Sequence, residues 1–123
     1  MAKAKIVALV GEAAVRQALE PGADETTTAT AVRYLLQVLA GNVPGTTVEV
    51  RVPPYGAVQC VEGPTHTRGT PPNVVETDAA TWLSLASGSL DFASAVQQGR
   101  VCASGQRADL SAYLPVQWQR VPG

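Results

Sequence analysis

The chain has 123 residues, and nine Lys and Arg against ten Asp and Glu leave a net charge of −1. That length is enough for one domain with a core of its own and too short for two. The charge balance excludes the basic stripe of a nucleic-acid binder and the polybasic cluster of a membrane-surface anchor. Ala, Val and Leu dominate the apolar residues, with a single Phe, and seven Arg outnumber two Lys, as in proteins of GC-rich genomes.

The first apolar run, Ile6 to Val10, is too short for a signal-peptide core or a membrane span, so a cytoplasmic chain without a stable membrane anchor is expected. Ala4 to Glu20 carries Val7, Val10, Ala14 and Ala18 at helical spacing and is stopped by Pro21-Gly22, which predicts an N-terminal helical extension over about residues 1–22. Asp24 stands as an N-cap before an amphipathic helix over Thr26 to Ala40, with Ala29, Val32, Leu36 and Leu39 on one face and Gly41 placed as a left-handed C-terminal cap.

After a turn at Asn42 to Gly45, the run TTVEVRV alternates: Val48, Val50 and Val52 point one way, and Thr47, Glu49 and Arg51 the other. Pro53-Pro54 ends this strand, and YGAVQCVE reads as its antiparallel partner. Gly63 to Pro72 is a loop, and Asn73 to Thr77 is again strand. Asp78 caps a helix from Ala79 to Ser87 that Gly88 ends; Asp91 caps a shorter one ending at Gly99. Val101 and Ala103 alternate with Cys102 and Ser104 in a last strand, Ala108 to Leu114 is a helical turn or two, and Pro115 to Gly123 is a loosely held tail. No repeat or linker divides the chain, so residues 1–123 read as one domain.

Candidates for chemistry are few. His66 is the only histidine, and no second His or CxxC accompanies it, so no metal or cofactor is expected. Cys60 and Cys102 sit in apolar strand contexts, as small hydrophobes and free thiols of a reducing compartment. With no nucleophile, base and orienting group assembled, the chain reads as no enzyme. In the loop TRGTPPN, Arg68 stands among Thr67, Gly69 and Thr70, a setting that suits bidentate binding of a carboxylate or phosphate and equally a structural ion pair with Glu62 or Glu76. Trp82, Leu85 and Ala86 share one helix face, and Phe92, Ala95 and Val96 another; periodicity makes such stripes core.

The joint order NVVET, DAATWLSLASG, SLDFASAVQQG, RVCASG resembles the end of the sterol-carrier (lipid-transfer) domain, on Thr81, Trp82, Leu83, Leu85, Gly88, Leu90, Asp91, Ala95, Gly99, Val101 and Gly105. The block RVPPYGAVQC…RGTPPNVVETD is similar to the actinobacterial branch of such bacterial proteins, and the likeness is strongest over residues 44–114. The resemblance implies an α/β (α+β) fold: about five strands in a mainly antiparallel sheet, with helices packed on one face enclosing an apolar cavity. Trp82, Leu85, Phe92 and Val96 would line that cavity, Leu110, Tyr113 and Leu114 would cover it, and Arg68 would give its mouth a polar end. It implies non-catalytic binding or transfer of an apolar small molecule; with few large apolar side chains, the GPTHTRGTPP insert and a bacterial host, a fatty acid, acyl-CoA or polyisoprenoid is expected ahead of a sterol. Two other readings remain. One is an accessory domain for a mycothiol-dependent isomerase-type enzyme; the other is a protein-interaction module, joining a protein partner or a second copy, with its core filled by its own side chains.

Overall fold

The computed structural model describes residues 5–63 and 73–119. The described residues form, in order, α1 (Ala8–Ala18), α2 (Glu25–Asn42), β1 (Val48–Val52), β2 (Gly56–Cys60), β3 (Asn73–Thr77), α3 (Ala79–Ser87), α4 (Phe92–Gln97), β4 (Val101–Ser104) and a 3-10 turn (Ser111–Tyr113). The sheet has four strands in the order β2-β1-β3-β4, where about five were expected. β2 and β4 are antiparallel to their neighbours, with Val50 opposite Val58 and Thr77 opposite Val101. β1 and β3 run parallel, because the chain leaves β2 at one edge and returns on the far side of β1.

Alternation places the core. Val48, Val50, Val52 and Val75 are fully buried on one face, while Glu49, Arg51 and Glu76 occupy the other. There Arg51 bonds Glu49 at 2.7 Å and approaches Glu76 at 3.9 Å, solvated pairs that add little stability. Thr47, expected on the solvated side, is buried: its carbonyl accepts from Asn73 Nδ2 at 3.0 Å, and its side chain lies against Gly63. Asn73 is itself buried and takes the Arg107 N–H on Oδ1 at 2.8 Å, so one amide joins the starts of β1 and β3 to the chain after β4.

α2 carries the helical layer. Asp24 accepts the Thr27 N–H at 2.7 Å as its N-cap. Val32, Leu36 and Leu39 are buried as the periodicity predicts, but Ala29 is only half-buried. Ala31, Tyr34 and Leu35 are buried as well, since α1 and α3 lie against further sides of the helix. Gly41 is not a left-handed cap: the Val43 N–H reaches the Leu39 carbonyl at 2.9 Å and carries the helix through Asn42. The positive φ falls at Gly45 instead, where a Cβ would collide with the Val61 carbonyl.

α3 and α4 follow their caps. Asp78 accepts from the Thr81 N–H and Asp91 from the Ser94 N–H, each at 2.7 Å, and Gly88 and Gly99 take the left-handed conformation after them. β4 departs from the expected alternation, since only Val101 is buried and Ala103 is exposed at the sheet edge. The C-terminal segment is held more firmly than its composition suggests. Its helical turn is confined to Ser111–Tyr113, and beyond it the Val116 N–H bonds the Ala86 carbonyl at 2.9 Å with its side chain buried.

Candidate functional site

An open groove of about 1280 Å³ runs between the segment entering α1, the flank of α2 and the edge strand β2. Ile6, Val7 and Val10 form one wall, Leu36, Val38, Ala40 and Gly41 the floor, and Tyr55, Gly56 and Val58 the other wall. Two polar side chains one helical turn apart on α2 hold these walls in place. Gln37 uses both ends of its amide on a single residue: Nε2 donates to the Ile6 carbonyl and Oε1 accepts the Ile6 N–H, each at 2.9 Å. Arg33 donates from Nε to the Tyr55 carbonyl at 2.8 Å. Lys5 and Arg33 are the cations of this wall, and no carboxylate lies among its residues. Such a concave, largely apolar space with a few convergent polar groups is what small-molecule sites are made of.

The residues singled out from the sequence lie elsewhere. Trp82 is fully buried, with Nε1 donating to the Val32 carbonyl at 3.3 Å, and so joins α3 to α2. Leu85, Phe92 and Leu110 are buried in the same core, and Tyr113 and Leu114 pack half-buried against it. Val96 is 40% exposed on the outer side of α4. None of these seven belongs to the groove wall. Arg68 and His66 fall outside the described residues. Arg33, Gln37 and Tyr55 were missed, although the sequence held a signal for two of them. Arg33 and Gln37 stand four apart in the otherwise largely apolar stretch from Ala31 to Ala40, the spacing that puts two polar groups on one flank.

The ionisable groups describe a quiet chemistry. Burial pushes the Cys60 thiol up to about 11, away from the thiolate a nucleophile needs. Cys102, expected in an apolar setting, is exposed on the edge strand β4. The accepted backbone N–H bonds of Thr27 and Ser94 hold the Asp24 and Asp91 carboxyls below the usual range. The bonds from Ser111 do the same for Asp109. Among the described residues no group of three or more His, Cys, Asp or Glu stands close enough to hold a metal ion. Nor is any helix there long and apolar enough to cross a membrane.

Residues 24–116 match the model of a family described as bacterial SCP ortholog. No curated protein matches the chain. The matched stretch runs from the cap of α2 through β4 to Val116, most of the chain, and leaves α1 outside it. The protein therefore belongs to the bacterial SCP ortholog family, and its α+β domain is sterol-carrier-like.

Proposed function

We propose that this protein binds an apolar small molecule (a lipid, fatty acyl chain or isoprenoid) without chemistry of its own. The ligand lies in the groove between residues 5–10, α2 and β2. The observation that carries this reading is the groove itself, whose volume and apolar walls suit a hydrocarbon chain, on a domain of a sterol-carrier-like family. Lys5 and Arg33 each offer a cation in a wall without a carboxylate, so an acidic headgroup is not left unpaired. The sequence suggested a site behind Trp82, Leu85 and Phe92 instead; their burial supports a structural role, with the ligand on the other flank of α2.

Native mass spectrometry of the purified protein should show co-purified lipid, and a fluorescent fatty acid should bind and be displaced by it. Two substitutions separate the sites. Gly41 faces open space, so Gly41→Leu narrows the groove without meeting a neighbour. It should weaken the probe and leave the melting temperature unchanged. Ala95 is fully buried, so Ala95→Leu overpacks the core, costs about 1–3 kcal/mol and should leave probe affinity of the folded protein intact. Probe binding lost with Ala95→Leu and kept with Gly41→Leu would move the ligand to the Trp82 side. No bound lipid and no probe binding by the unaltered protein would end the binding reading, and turnover abolished by Cys60→Ala would end the non-catalytic one.

A further inference from the structure

α1 lies outside the stretch matched by the family model, and the N-terminal half of its exposed side is apolar, while Arg16 and Gln17 occupy the other half. Leu9 is 71% and Val10 53% exposed. They form the near rim of a hollow of about 430 Å³ between α1 and the start of α2, whose other walls include Ala13, Gln17, Thr26 and Thr30. Knob and hollow thus sit side by side on one surface, the arrangement that a two-fold axis turns into a closed pair of contacts. The charges agree. Lys5 stands at the entrance of α1, and Glu20 follows its last turn, with Asp24 and Glu25 just beyond, all exposed.

We propose that this face of α1 docks against the same face of a second copy, with the two helices antiparallel. A two-fold axis beside Ala13 sets Leu9 against Gln17 of the second copy and Val10 against the aliphatic stem of its Arg16. Leu9 of each copy enters the hollow of the other. The same operation brings Lys5 to the acidic end of the opposing helix, whereas a parallel pair would set Lys5 against Lys5. The antiparallel pair also aligns the helix dipoles favourably. An 11-residue helix is only about 16 Å long, so the interface is small and the dimer is weak. Its charged ends make it sensitive to salt.

Sedimentation velocity over a concentration series tests this on the whole chain. The unaltered protein should pass from monomer to dimer as concentration rises, and less readily in high salt. Leu9→Glu should remain monomeric throughout with an unchanged melting temperature, because Leu9 contributes little to the fold. Lys5→Glu and Glu20→Lys should each weaken the dimer about tenfold, and the two together should restore it. A protein that stays monomeric at every concentration overturns the proposal, even if it then binds lipid vesicles or another protein through α1. So does a Leu9→Glu variant that dimerises like the parent, or a double charge exchange no better than either single one. Val10 also walls the groove and Lys5 is one of its cations, so lipid binding is compared on the Leu9→Glu variant, whose residue lies outside the groove wall, and failure of one reading then leaves the other standing.

Discussion

Residues 73–104 and residues 5–18 are both rich in Ala and Val, yet they come by their structures differently. In the first region each element carries its own punctuation: Asp78 and Asp91 cap, Gly88 and Gly99 terminate, and Trp82, Leu85, Phe92 and Val101 fill the core between them. α1 has none of this. Val7 stands at its N-cap with no side-chain bond, no acidic residue occupies its first turn, and no left-handed residue ends it. What holds it is the surface beneath, the Gln37 amide on Ile6 and the bare Cα of Gly11 over the Tyr34 ring. One region is specified by its own residues, the other by what it lies on.

The widest separation between the two should appear on truncation. Trp82→Ala empties the centre of the core and removes the bond to the Val32 carbonyl, and should cost about 3–5 kcal/mol in urea denaturation. Leu9→Ala, at dilute protein concentration, should stay within about 0.5 kcal/mol of the parent. Similar losses at the two positions would mean that α1 is as deep a part of the core as α3, and the contrast would fail.

Next comes the contact that seats α1. A Cβ on Gly11 would fall inside van der Waals contact of Tyr34 Cγ and Cδ1, at the root of the ring where it cannot swing away. Gly11→Ala gains helix propensity of about 1 kcal/mol but has to push two helices apart. We expect a net loss of about 1–3 kcal/mol, with hydrogen exchange faster in α1 and unchanged in β3 and α3. A more stable Gly11→Ala variant would show that the close approach is not what fixes α1.

How far the sequence could be read follows the same division. Asn73–Thr77 and Ala79–Ser87 were legible to the residue, because Asp and Gly punctuation acts within one turn and needs no knowledge of the rest of the fold. The parallel pairing of β1 with β3 was not, since strand order depends on where a crossover lands rather than on any residue of the strand. The apolar spacing of α1 gave the helix and the inward side of Ala14, but not that of Val7 and Val10. Val7 and Val10 stand outward, and Gly11, Ala14 and Val15, with the buried Glu12, turn inward, because small side chains permit the close approach to Tyr34. The groove stayed hidden because it exists only once Ile6, Arg33, Gln37 and Tyr55 meet from three separate segments of the chain. Trp82, Leu85 and Phe92 were rightly singled out as the buried centre, but nothing in their spacing separates a packed core from a ligand wall.

Removing a cap should cost less than either change above. Asp78→Ala leaves the Thr81 N–H without its acceptor and should lower stability by about 1 kcal/mol. Asp91 reports the same bond through pH. Its folded-state carboxyl titrates below the ordinary 3.8 because the Ser94 N–H bonds the charged form. The unfolded chain therefore takes up the proton first as pH falls, so the contribution is complete above the ordinary value and is lost as pH drops through the folded one. Asp91→Asn should flatten the acid limb of the stability curve between those two values, and an unchanged limb would mean that the cap bond is not formed in solution.

The smallest effect should come from giving α1 what the other region already has. Val7 is 63% exposed with φ −70° and ψ 148°, the extended conformation of an N-cap, so a serine there needs no change of backbone. Its hydroxyl oxygen would accept the free N–H of Leu9 or Val10 in the first turn. Little apolar contact is lost, since most of the Val7 side chain already faces water. Val7→Ser should therefore stabilise the protein by about 0.5 kcal/mol. The gain should show first as slower amide exchange within α1, because that helix opens before the core does. If exchange in α1 is unchanged while global stability falls, Val7 is held by apolar contact with the groove wall rather than idling at an uncapped end, and α1 then resembles the capped region more than its sequence suggests.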